Sequence, residues 1–155
     1  MKKQFALTLL LCSLLLTQCI SDCGRTDFGN VLLLVFDSEG EELAGLDIAV
    51  YPIKYATFDI NDEVTTLEEA SDYYGAEITQ TDEAGRVELE VGYTDGATSC
   101  DGKRKTYDNS FESVIIFYEC AAGALRYQEF TAANGLQFIN STNQIDAVVI
   151  ESDCL

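Results

Sequence analysis

The sequence predicts an all-β protein: an antiparallel β-sandwich of about seven strands, with one short helix in an insertion. Three observations carry this. Val87-Glu88-Leu89-Glu90-Val91 alternates strictly between apolar and acidic side chains, the two-residue period of a strand with one wet face. Short apolar runs recur along the chain, separated by Gly, Asn and Ser. Only one stretch, around Thr66 to Gly75, carries the start and stop signals of a helix.

Each element follows in order. Val31 to Phe36 is a solid run of branched and aromatic side chains, expected as a strand buried on both faces. Asp37-Ser38-Glu39-Gly40 supplies turn chemistry after it. Leu46, Ile48 and Val50 alternate with Asp47, Ala49 and Tyr51, the pattern of a half-buried strand, and Pro52 implies that this strand ends there or lies at a sheet edge. Thr66 with Glu69 matches a capping box, so a helix of one to two turns is expected up to Gly75. Ile78 to Thr81 returns to strand character, and Asp82-Glu83-Ala84-Gly85 reads as a hairpin loop into the Val87 strand. Val114 to Tyr118, Leu125 to Phe130, Leu136 to Ile139 and Ile145 to Ile150 complete the strands.

The first residues carry a destination rather than a fold. Lys2 and Lys3 precede an apolar stretch from Phe5 to Leu16, shorter than the roughly 20 residues that span a bilayer as a helix. This predicts an export signal over 1–18. Leu16-Thr17-Gln18-Cys19 resembles the lipobox of bacterial lipoproteins, with Gln18 where that family prefers Gly, Ala or Ser. The resemblance implies cleavage before Cys19, a lipid on its sulfur and a site in the bacterial cell envelope, on the periplasmic or surface side. Without lipid, Cys19 would be a disulfide partner in a freely secreted protein. Ser21 to Asn30 is polar and aperiodic, so 19–30 reads as a tether and 31–155 as the domain.

Six cysteines bound the covalent structure. Cys12 leaves with the signal, and if Cys19 carries lipid four remain: Cys23, Cys100, Cys120 and Cys154. An even number in an exported chain implies two disulfides in any of three pairings. Cys120 and Cys154 each close a strand-like run, so joining them would pin two neighbouring strands, and Cys23 with Cys100 would tether the N-terminal tail. No metal or other cofactor is expected: the chain has no histidine, and those four cysteines lack the close spacing of zinc sites.

Charge narrows the partners. The chain carries a formal charge of −18, and losing Lys2 and Lys3 with the signal takes it to −20. Such a field repels phosphate backbones, so nucleic acid is not expected as a partner. Membrane association would come through the N-terminal lipid, since the one local basic cluster, Lys103-Arg104-Lys105, is too short for a headgroup patch.

Two turn motifs carry a resemblance to a fold family. Val35-x-Asp37-x-x-Gly40-x-x-Leu43-x-Gly45-Leu46-x-Ile48-x-Val50, followed by Thr79-x-Thr81-Asp82-x-x-Gly85-Arg86-Val87-x-Leu89, is similar to the carboxypeptidase-regulatory-like, transthyretin-like modules. The resemblance implies an Ig-like, transthyretin-like sandwich in which the second motif forms a hairpin. Asp serves such turns by accepting from the backbone two residues on, and Gly by taking a positive φ. Glu42 and Leu46 depart from the usual residues of that family, and 55–75 is a longer insertion than it usually carries.

That insertion is the candidate binding region, with Asp59, Asp62, Glu63, Glu68, Glu69, Asp72, Tyr73 and Tyr74. A solvated acidic connection is the plainer reading of the same residues. Asp59 to Ala70 is not an EF-hand, because Val64 and Ala70 occupy the glycine and bidentate glutamate positions. An internal amide bond between Lys54 and Asn140 or Asn143 is a minor alternative to Lys54 reaching water from an edge. Without histidine the commonest general base is missing. The expectation is therefore a non-catalytic, lipid-anchored module binding a protein or glycan partner, with a freely secreted structural or adhesin subunit as its alternative.

Overall fold

The computed structural model describes residues 26–54, 57–94, 109–121, 123–151 and 154. The expected signal, lipid site Cys19, Cys23, Cys100 and the 103–105 basic cluster lie outside these. The chain divides into a unit of Phe28–Tyr93 with Asp108–Leu155 and another of Met1–Asp27 with Thr94–Tyr107, and every site described below lies in the first.

Eight strands and one helix are present among the described residues: β1 (Thr26–Asp37), β2 (Asp47–Ile53), α1 (Leu67–Tyr74), β3 (Glu77–Gln80), β4 (Arg86–Thr94), β5 (Ser113–Glu119), β6 (Leu125–Thr131), β7 (Leu136–Ile139) and β8 (Thr142–Ile150). They form two four-stranded sheets, β4-β1-β8-β7 and β3-β2-β5-β6. The all-β sandwich expected from alternation is the observed fold. β1 and β8 run parallel, from Asn30 opposite Thr142 to Asp37 opposite Ile150, with a bulge between Leu33 and Val35. β1 also starts at Thr26, so the last residues of the expected tether are strand.

The core lies between the sheets. Val31, Leu33, Val35, Val87, Val91, Ile145, Val148 and Ile150 from the first sheet meet Ile48, Val50, Val114, Ile116, Tyr118 and Phe130 from the second. A second cluster lies on the outer face of the second sheet, where Ala49, Ile53, Ile115 and Phe117 are covered by Val64, Leu67, Ala70 and Ala76. This layer reverses two expectations. β2 is buried on both faces because α1 covers Ala49 and its neighbours, whereas along Val31–Phe36 β1 is buried at Val31, Leu33 and Val35 and half-buried at Leu32, Leu34 and Phe36 on the opposite face. Pro52 is tolerated inside β2 because β3 pairs only as far as Val50, leaving the proline beyond its reach.

Both Asp-x-x-Gly turns form as their chemistry requires. Asp37 Oδ1 accepts from the amides of Glu39 and Glu41 at 2.8 and 2.9 Å. Asp82 Oδ1 accepts from Ala84 and Arg86 at 2.9 and 2.8 Å. The first turn folds Glu42 back against Phe36 in an antiparallel bridge, whereas the second joins strands of different sheets, β3 in the second and β4 in the first. The expected 82–85 hairpin is therefore a crossing between layers. Thr81 joins the two motifs: its hydroxyl donates to the Leu43 carbonyl and accepts from the Leu46 amide.

Cys120 and Cys154 form a disulfide. It connects the end of β5 to the segment after β8, and so joins the two sheets instead of neighbouring strands of one sheet. Lys54, expected to reach water, is buried; its ammonium donates to the Ser110 carbonyl and lies 6.0 Å from the centre of the Tyr93 ring. The Asn143 amide accepts from Phe111 N at 2.8 Å and donates to the Asn109 and Asn30 carbonyls at 2.8 and 3.1 Å. Both of its ends are thus engaged with the backbone.

Candidate functional site

The insertion builds a surface on the outer face of the second sheet. Its helix starts where the capping signal lies: Thr66 is extended, and its hydroxyl accepts from Glu69 N at 3.1 Å. The reciprocal bond shifts by one residue, since Glu69 Oε2 accepts from the amide and hydroxyl of Thr65 at 2.7 and 2.9 Å. These bonds hold the Glu69 carboxyl below the usual glutamate range, the Thr65 amide contributing most. Gly75 ends the helix at φ 77°, the left-handed conformation that suits glycine. A third group supports the first turn, with Glu119 Oε1 accepting from Leu67 N at 2.8 Å. Its carboxylate lies where the helix dipole favours negative charge.

Under and beside the helix six aromatic rings form a continuous cluster. Tyr74 stacks on Phe117 with centroids 5.4 Å apart and an angle of 18°. Phe58 meets Tyr74 at 5.4 Å, Phe117 at 6.0 Å and Tyr127 at 5.3 Å, while Tyr51 adjoins Phe58 and Tyr74. Tyr73 packs edge-on against Tyr74 at 4.8 Å. Such offset and edge contacts are the favoured geometries of ring pairs. The cluster grades from fully buried Phe117 to Tyr127 and Tyr73, which are 43% and 63% exposed. Asn61 fixes the segment that crosses it, donating its amide to the Tyr74 hydroxyl at 2.6 Å and accepting from Glu63 N at 3.0 Å.

Of the residues expected here, Tyr73 and Tyr74 enter this cluster. Asp59, Asp62, Glu63, Glu68, Glu69 and Asp72 remain exposed on the solvent side. Among the described residues no group of three or more His, Cys, Asp or Glu is placed to hold a metal ion. Phe58, Phe117, Tyr127, Asn61 and Glu119 were not singled out by the sequence. Tyr127 carries the one signal available, an outward position between Leu125 and Glu129 on the period of β6.

The chain matches no protein family and no curated protein. Solved structures similar to it include the dioxygenase domain of a dioxygenase carbohydrate-binding protein fusion from the cellulolytic bacterium Streptomyces sp. SirexAA-E, at 9% identity and TM-score 0.45, covering 86% of this chain and 85% of that one. A 3-chlorocatechol 1,2-dioxygenase from Rhodococcus opacus is similar at 16% identity and TM-score 0.42, covering 83% of this chain and 61% of that one. A 9R-lipoxygenase from Cyanothece gives 12% identity and TM-score 0.34, with 88% of this chain against 20% of that one. These neighbours bear the names of enzymes, which corrects the expectation of a non-catalytic module and of its structural or adhesin alternative. Neither expectation is retained, and the lack of histidine is no ground for excluding catalysis. No reaction is carried over from the neighbours to this chain.

Proposed function

We propose that this protein is exported and held at a membrane of the bacterial envelope by a lipid on Cys19, and that its sandwich belongs with the carboxypeptidase-regulatory-like, transthyretin-like group. The Cys120–Cys154 disulfide carries the proposal, because such bonds persist in oxidising compartments outside the cytoplasm. It also leaves an odd cysteine. With Cys12 removed in the signal, Cys19, Cys23 and Cys100 remain; a Cys23–Cys100 bond would free Cys19 for acylation at the point where the lipobox-like stretch ends. The fold assignment is supported by the meeting of its two motifs at Thr81, Leu43 and Leu46.

Function on this reading is exercised at a surface. At most about 25 Å of extended chain separates Cys19 from Thr26, so the sandwich works close to the lipid plane. One acyl-bearing residue is the anchor, because an acidic body repels anionic headgroups. Metabolic labelling with palmitate tests this: label on the wild-type chain and none on Cys19→Ala is expected, with a mature N-terminus at residue 19. A mature chain starting elsewhere, or label retained by the variant, overturns it.

A further inference from the structure

The disulfide and the helix cap occupy consecutive residues. Glu119 accepts from the first amide of α1, and Cys120, next in the chain, is bonded to Cys154. On one side Glu119 is held by the β5 ladder, opposite Leu125. On the other side the backbone is held by Cys120 N donating to Ala124 O at 2.9 Å and by Ala121 N donating to Cys154 O at 3.1 Å. The second of these bonds exists only while the Cys154 segment stays against the end of β5. α1 itself has eight residues, too few to persist on its own helical propensity. It depends on the packing of Leu67, Ala70 and Tyr74 and on its caps.

We propose that the Cys120–Cys154 disulfide governs, through Glu119, how firmly α1 covers the aromatic face of the second sheet. A dithiol reductant would open it by thiolate attack on one sulfur and resolution by its second thiol. Two electrons and two protons pass to the cysteine pair, and the reductant leaves as its own disulfide. Cys154 is then free to leave the end of β5. Glu119 loses one of the constraints that aim its carboxylate at Leu67 N, the first turn of α1 loosens, and Phe117 and Phe58 gain access to solvent. The strands keep their ladders, since none of their hydrogen bonds passes through either sulfur.

Hydrogen exchange by mass spectrometry on the full chain tests this, comparing the oxidised protein with the protein held reduced. The expected result is exchange about fivefold faster across Leu67–Gly75, the factor that loss of a typical cap produces, with Val114–Tyr118 unchanged. Equal exchange of α1 in both states overturns the proposal, as does equal loosening of β5. Glu119→Ala, at an exposed position, separates coupling from general destabilisation. In that variant α1 is expected to exchange fast while oxidised, with no further gain on reduction; an undiminished response to reduction shows that Glu119 is not the link and overturns the proposal.

Discussion

The hydroxyl of Thr81 donates to the carbonyl of Leu43 at 2.6 Å. With the Leu46 amide donating back to the same oxygen, one buried side chain fastens the loop after β1 to the turn before β4. Thr81→Val keeps the shape and removes both bonds, leaving a carbonyl and an amide with one partner fewer. A loss of about 1–3 kcal/mol is expected, read as a lower urea midpoint at unchanged slope.

Gly85 lies in the same turn at φ +63°, and a Cβ there would meet the Val35 carbonyl oxygen at 2.5 Å. Gly40 shares the positive φ, at +87°, and faces open space. Gly40→Ala is therefore expected to lose about 1–2 kcal/mol from backbone strain alone. Gly85→Ala should lose clearly more, and the difference between their thermal midpoints measures the approach of the turn to β1.

Phe117 is fully buried between β5 and the insertion, where it meets Phe58, Tyr74 and Tyr127. Phe117→Ala should destabilise the fold by about 3–5 kcal/mol through lost burial and the cavity left behind. Tyr73→Ala, at the exposed end of the cluster, should have little effect on the same unfolding curve.

Glu69 gives the helix a dependence on acid. Its carboxyl titrates below the usual range because the Thr65 amide and hydroxyl bond its charged form. A carboxyl depressed in the folded state stabilises fully above its unfolded pKa, and the contribution disappears as pH falls through the folded pKa. Chemical shifts of α1 amides should move toward the frayed state over that acidic window, and Glu69→Gln should remove the dependence.

How far the sequence reaches depends on where the determining contacts lie. The helix ends were legible because Thr66, Glu69 and Gly75 act within a few residues of each other. The strands were legible from their two-residue period, as in Val87 to Val91. Which faces would be covered was not, because it depends on where the insertion lands: α1 buries Ala49 on β2 and leaves Leu34 on β1 half-exposed. The crossing at Asp82 to Gly85 escaped for a related reason, since a tight turn looks the same whether it joins strands of one sheet or of two. Phe58, Tyr127 and Glu119 come from three separate parts of the chain, and only the assembled sheet brings them to one face.

The pairing of β1 with β8 sets an order on how the molecule is made. β1 lies between β4 and β8, and its β8 edge is paired only when a strand made much later in the chain arrives. Closure of so long a loop is entropically slow, and the unpaired edge of β1 is open to foreign strands meanwhile. Protection of that edge until β8 arrives matters more for this topology than for a sandwich of successive hairpins.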